Sequence, residues 1–239
     1  MTTSYSRIVA LVLLLAILLA GCAGLPAGYS HPSLYKVKRG DTMYSIAFRY
    51  GLDYKSLARL NGIGPPYTIY ADQWLKLRGS ARMPEKDSGP VATTTSKPKT
   101  RAEPALKSPI KAPTAAVTGW RWPLKGAVIK PFSLKQPINK GIGIAGRKGD
   151  TVVAAADGVV VYAGGNLRGY GKLVIIKHND TFLSAYGNNA SMLVKEGQSV
   201  KAGTAIARVG KSAADVEMLH FEIRQDGKPR DPLDFLPNR

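Results

Sequence analysis

The chain has 239 residues, enough for one large domain or two small ones, and its 44% apolar content is ordinary for globular protein. Its 34 Lys and Arg against 16 Asp and Glu leave a formal net charge of +18, spread over the whole length, which calls for a polyanionic partner or surface. Nucleic acid, the usual partner for such a balance, is excluded because the N-terminus reads as an export signal; anionic lipid head groups and anionic cell-wall polymer remain.

Met1 to Arg7 carries a single positive charge, and Ile8 to Ala20 is an unbroken apolar run of signal-peptide length, too short to span a bilayer comfortably. The run ends in Leu19-Ala20-Gly21-Cys22, the lipobox pattern. Small residues there admit the peptidase, and the Cys22 thiol is the atom that receives diacylglycerol. Residues 1–21 are therefore expected to be a lipoprotein signal peptide, Cys22 the lipidation site, and 22–32 a lipid-anchored tether. Several acyl chains on one residue make membrane attachment stable. Cys22 is the only cysteine, so no disulfide can form within the chain. Ala23 follows it, with no Asp of the kind that resembles an inner-membrane retention signal. The expected address is the outer membrane, facing the periplasm.

Residues 33–78 form the next unit. Tyr35-Lys36-Val37-Lys38 alternates as a strand, Gly40-Asp41 makes a turn, and Asp41 or Thr42 can cap the helix that follows. Ile46, Ala47 and Tyr50 recur at helical spacing until Gly51 stops the helix. A second helix runs from about Tyr54 to Asn61-Gly62, and Trp74-Leu75-Lys76-Leu77 returns as a strand. This order, carried by "YKVKRGDTMYSIAFRYGLDYKSLARLNGI", closely resembles a LysM domain, a module that binds glycans containing N-acetylglucosamine. The resemblance implies a peptidoglycan groove between Gly40-Asp41-Thr42-Met43 and Asn61-Gly62-Ile63. Asp72 stands where the family usually has Gly, a position that Asp tolerates in a left-handed turn better than most residues.

From 79 to 118 the sequence is Pro, Ala, Thr, Ser and Lys with hardly a branched or aromatic residue, too little apolar surface to offset chain entropy. It is expected to be a disordered linker, and the apolar core is expected to be divided across it. Roughly 40 residues of coil would average about 35 Å end to end and reach on the order of 120 Å when extended.

Residues 119–239 show short apolar alternations broken by Gly, such as Gly158-Val-Val-Val-Tyr162, Lys172-Leu-Val-Ile-Ile-Lys177 and Leu219-His-Phe-Glu-Ile223. Turns every eight to twelve residues predict a mainly antiparallel β domain. Nearly its full length resembles the LytM or lysostaphin-type peptidase domain. The fold class is thus a small α+β LysM domain (βααβ) and a mainly antiparallel β LytM-like domain joined by a linker.

The LytM resemblance implies a zinc ion held by the His and Asp of an HxxxD motif and the second His of an HxH motif. The first His of HxH and a further His after a Tyr handle the water and the oxyanion. Zinc catalysis of this kind needs three protein ligands and one open place. Here the HxxxD positions hold Asn139 and Gly143, the HxH positions hold Met218 and His220, and Asn188 follows Tyr186. His178, Asp215 and Glu217 offer no rescue, and Glu217 should face opposite to His220 by strand alternation. The expectation is no catalytic residues, no metal and no cofactor. Alternation places Met218, His220 and Glu222 on the face of the former site and Leu219, Phe221 and Ile223 in the core.

The combination resembles the NlpD-like activators of cell-division amidases. That resemblance implies a degenerate groove, with Asn139, Gly143, Tyr186, Asn188, Met218 and His220, that grips a regulatory segment of a periplasmic zinc N-acetylmuramoyl-L-alanine amidase. The expected partners are therefore peptidoglycan, that amidase, and the membrane through lipid on Cys22, with no nucleic acid. Two alternatives stay open: a wall-binding tether that activates nothing, and an active zinc endopeptidase.

Overall fold

The computed structural model describes residues 32–79, 116–165 and 167–238. The signal sequence, Cys22 and nearly all of the tether and linker segments fall outside the described residues.

The first unit is built from β1 (Leu34–Lys36), α1 (Met43–Tyr50), α2 (Tyr54–Leu60) and β2 (Trp74–Lys76), with β1 and β2 antiparallel. Of the two candidate caps it is Thr42 that starts α1: its side chain accepts from Ser45 N while Ser45 Oγ accepts from Thr42 N, a reciprocal capping box. Gly51 at φ 65° closes the helix. Asp53 caps α2 through Ser56 N. Asp72 does adopt the left-handed conformation, at φ 69°.

The second unit holds β3 (Val128–Lys130), β4 (Ile142–Ala145), β5 (Thr151–Val153), β6 (Gly158–Gly164), β7 (Lys172–Lys177) and β8 (Phe182–Met192). They are followed by β9 (Ser199–Val200), β10 (Ala205–Val209), β11 (Met218–Gln225) and β12 (Lys228–Arg230). Among the described residues these strands make one antiparallel sheet with the path β3-β4-β11-β8-β7-β6-β9. Strand β10 joins β5 to β8, and β12 hangs on β11.

This sheet is buried on both faces. One face carries Val160, Val174, Ile176, Tyr186, Leu219, Phe221 and Ile223 into the domain's own core with Ile142, Ile144 and Ile206. The other turns Val161, Leu173, Ile175, Leu183 and Ala185 into a contiguous cluster with Ile46, Phe48, Tyr54 and Leu57 of the first unit. The core is therefore not divided as the linker suggests: an apolar layer runs from one unit into the other. A strand covered on both sides reads as a continuous apolar run instead of an alternating one, which accounts for Leu173-Val174-Ile175-Ile176.

A buried polar chain ties the sheet together. His178 Nδ1 lies 2.7 Å from the carbonyl oxygen of Asp157, which can only accept, so the proton sits on Nδ1. Nε2 then accepts from Ser184 Oγ at 2.7 Å. The 2.8 Å bond joining Ser184 and Tyr186 consequently has the tyrosine hydroxyl as donor, and that hydroxyl accepts from Ala155 N at 2.8 Å. Every group is satisfied only while the imidazole is neutral, and burial pushes its pKa down to about 4.

A histidine with a depressed folded-state pKa stabilises fully above its unfolded pKa of about 6.5, and the contribution fades as pH falls toward the folded value. Thermal denaturation should therefore show stability falling by on the order of 3 kcal/mol between about pH 6.5 and pH 4. His178→Gln should flatten that slope; an unchanged slope would show that His178 is not its source.

Candidate functional site

Strand β11 organises the site. His220 pairs across the sheet with Gly143 of β4 on one side and with Gly187 of β8 on the other. Neither neighbour has a side chain, so the imidazole sits in a glycine-floored slot beneath Tyr170, whose ring centroid is 5.6 Å away. Beyond it a groove of about 370 Å³ is lined by Ile129, Lys130, Asn188, Met218 and the loop from Ser212 to Val216. A larger hollow of about 1000 Å³, between Arg121–Gly126 and Asp150–Val153, lies away from these residues.

The six expected groove residues divide. Met218 and Asn188 line the groove, and Asn188 holds φ 61° with its N–H on Tyr170 O at 2.8 Å. Gly143 forms the floor. Asn139 is buried, and its Nδ2 donates to the carbonyls of Pro131 and Gly141 at 2.7 Å, bracing the β3–β4 connection. Tyr186 is wholly buried in the core, with its hydroxyl spent in the His178 chain, so it does not face the groove as expected. Strand alternation sets Tyr186 opposite Phe221 on the core side and Gly187 opposite His220 on the groove side.

Sequence reasoning noted Glu222 on this face but missed the partners of its carboxylate. Glu222 Oε1 accepts from His220 Nε2 at 2.9 Å and from Tyr170 Oη at 3.0 Å, and Oε2 accepts from Arg224 Nε at 2.8 Å. Glu222 and Arg224 are both fully buried. Burial alone would raise the Glu222 pKa, but Arg224 and His220 outweigh it and hold the carboxyl well below the usual range. Arg224 then reaches out of the sheet: Nη1 donates to the Phe48 carbonyl at 2.6 Å, and the guanidinium lies 3.5 Å above the Phe48 ring. The signal available in the sequence was the alternation Met218, His220, Glu222, Arg224, which puts two charges on one face of the strand.

In the first unit, four of the expected glycan-binding side chains are committed internally. Asp41 accepts from Tyr35 Oη at 2.6 Å and from Lys38 N at 3.0 Å, Met43 is buried, and Asn61 bridges to Leu57 O and to both Lys76 backbone groups. Thr42 is spent on its cap. Of the expected set, Gly40 and Gly62, exposed and at positive φ, and half-buried Ile63 remain at the surface.

Residues 35–78 match the LysM domain and residues 137–232 match Peptidase family M23. A lipoprotein NlpD/LppB homolog of Pseudomonas aeruginosa is 46% identical over 86% of this chain and 77% of its own length. The chain belongs to the NlpD family of LysM and M23 lipoproteins. Two further relatives are an uncharacterized lipoprotein, YgeR, of Escherichia coli K12 and the murein hydrolase activator NlpD of Salmonella dublin. YgeR is 43% identical over 96% of this chain and 92% of its own, and the activator 38% identical over 90% and 71%.

Membership of M23 implies zinc, and the residues present do not fit it. Asn139 is a neutral amide, outside the imidazole, thiolate and carboxylate donors that zinc takes, and its Nδ2 is fixed on the Pro131 and Gly141 carbonyls. At Gly143 a Cβ would collide with the Met218 methyl and lie 2.8 Å from Lys130 Cβ, so Met218 fills the volume that a ligand side chain would need. His220 is bonded to Glu222, whose other oxygen serves Arg224. Glu217 bonds Lys148 N, and Asp215 pairs with Lys211. Among the described residues no three His, Cys, Asp or Glu side chains converge to hold a metal ion.

The replacement of Gly143 and Met218 is thus one packing event. Gly143→Asp should lower stability by roughly 1–3 kcal/mol through overpacking, and adding Met218→Ala should return part of that loss. Chemical denaturation of the two single variants and the double variant measures the coupling, and additive losses would show that Met218 does not occupy the space.

Proposed function

We propose that this protein is a wall-binding lipoprotein, anchored in the outer membrane through Cys22 and facing the periplasm. In this reading it activates a periplasmic zinc N-acetylmuramoyl-L-alanine amidase during septal wall splitting, through an M23 domain that performs no catalysis. The observation that supports the reading is the groove beside Met218, around which the side chains at the expected ligand positions are engaged in packing and in hydrogen bonds within the chain. A groove that no longer cuts still binds. Ile129 and Val216, 49% and 44% exposed beside Met218, together with Lys130, suit an apolar segment carrying an acidic group. Exposed apolar residues gathered in a concave site are the expected signature of partner binding.

Activation follows from differential affinity. If the groove binds a regulatory segment only when it is off the amidase active site, the equilibrium shifts toward the open amidase by that difference in binding free energy and by no more. The LysM domain delivers the pair to peptidoglycan, and the zinc of the reaction belongs to the amidase. The excess of positive charge favours residence on an anionic wall, and it equally favours a second reading, a tether that holds wall and membrane together and activates nothing.

Dye release from labelled peptidoglycan, with amidase alone, detergent-solubilised full chain alone, and both together, separates these readings. Release that rises only with both proteins supports activation; an unaffected amidase with full pelleting of this protein on the wall supports the tether. Met218→Glu should abolish the rise while leaving pelleting unchanged, and equal loss of both would mean that the substitution had unfolded the chain.

A further inference from the structure

The geometry points to the LysM domain as an intramolecular clamp that closes one end of the M23 groove and must lift before a partner segment can lie along the whole of β11. The inference rests on the groove being the partner site. Strand β11 has eight residues, a length of about 26 Å at the usual strand rise. On its outward face only Met218, itself buried, borders the groove and only His220 is half-buried; Glu222 and Arg224 are fully buried.

What covers them is Tyr170 together with α1. Phe48 lies under the Arg224 guanidinium and meets the Tyr170 ring edge-on at 5.3 Å, and Tyr170 in turn roofs His220. Next to it the β11–β12 turn abuts the α1–α2 connection, where a Cβ on Gly227 would fall 2.6 Å from Asp53 N. A segment following the groove past His220 therefore runs into Tyr170 and Phe48. The covered end and the open groove are parts of one strand, joined by the bonds from His220 through Glu222 to Arg224.

The makeup of α1 supports a dedicated docking face. Met43, Ile46, Ala47 and Tyr50, at spacing i, i+3, i+4, i+7, are the row that a βααβ unit needs for its own core. Tyr44 and Phe48 form a second apolar row, also buried. Helices that are apolar on two sides are buried on two sides, and here the second side meets the sheet.

The rim of the contact is polar and separable. Asp180 is held by Lys177 at 2.9 Å, by Lys55 of α2 at 3.1 Å and by Tyr54 Oη at 3.3 Å, with the carboxylate more than half exposed. Contacts of this kind between domains of one chain resemble transient protein interfaces, for which relative motion is the ordinary expectation.

The test uses the full chain in detergent, with the amidase dye-release assay and a distance measurement by pulsed electron paramagnetic resonance between spin labels at Arg59→Cys and Lys195→Cys. Phe48→Lys sets a cation against Arg224 while keeping a good helix former in α1. It should broaden the interdomain distance and raise amidase stimulation about fivefold, a typical coupling between sites. Lys55→Glu should move both readouts the same way by less, which keeps the test decisive should Phe48→Lys fail to fold. A chain that opens by distance but stimulates no better than the unaltered one overturns the clamp, as does an unchanged distance in both variants. If neither the unaltered chain nor any opened variant stimulates, the partner-site reading falls and the clamp with it.

Discussion

The ion pair of Glu222 and Arg224, sealed between a sheet and a helix of another domain, is the interaction on which the rest of this structure depends. A buried pair adds little net stability, because the cost of taking both charges from water nearly cancels their attraction; removing one partner, however, costs on the order of 3–5 kcal/mol. The pair therefore acts as a constraint of register and geometry. It requires His220 and Tyr170 on one carboxylate oxygen and Arg224 on the other, and it requires a cover for the guanidinium, which the Phe48 ring and carbonyl provide. All of these groups lie on one face of β11, opposite the core-facing Leu219, Phe221 and Ile223. Here the polar groups of that face are turned toward each other and toward the LysM domain.

The consequence is a chain in which wall recognition and the groove share structure. Of the residues expected to meet glycan on the LysM domain, Gly40, Gly62 and Ile63 remain at the surface, while Asp41, Thr42, Met43 and Asn61 are occupied in holding the turn and the α2–β2 connection. Tyr44 follows that loop directly, and its ring packs against Tyr54 at 4.5 Å, which in turn bonds Asp180 of the sheet domain. The path from the proposed glycan surface to the sheet is thus short and made of packed rings. The 36 residues between Gly79 and Ala116 give a covalent reach of up to roughly 120 Å, so chain length places no restriction on separating the domains.

Much of this was legible in the sequence, for definable reasons. The βααβ unit announced itself through local signals: Gly51 as a stop, the 46/47/50 periodicity, and a tolerance of left-handed backbone at Asp72 that the structure uses. The strands at 158, 172 and 219 followed from apolar runs between glycines, and the core-facing set Leu219, Phe221 and Ile223 from simple alternation. The long-range parts were not legible. Tyr186 looked like a groove residue because a motif placed it near Asn188, but the side chain points into the core, where His178 and Ser184 need its hydroxyl. The docking of the two domains left only indirect marks, namely a second apolar row on α1 and a strand, Leu173 to Ile176, with no polar face. Neither mark identifies its partner, because a contact between residues 48 and 224 has no local pattern.

On this reading the polar groups of the β11 face hold the protein together instead of a metal. Its most direct test is the zinc content of the purified full chain after equilibration with excess zinc and removal of the free ion, measured by atomic emission. The account predicts a content far below stoichiometric, unchanged by His220→Ala. Zinc near one per chain that disappears with His220→Ala would contradict it.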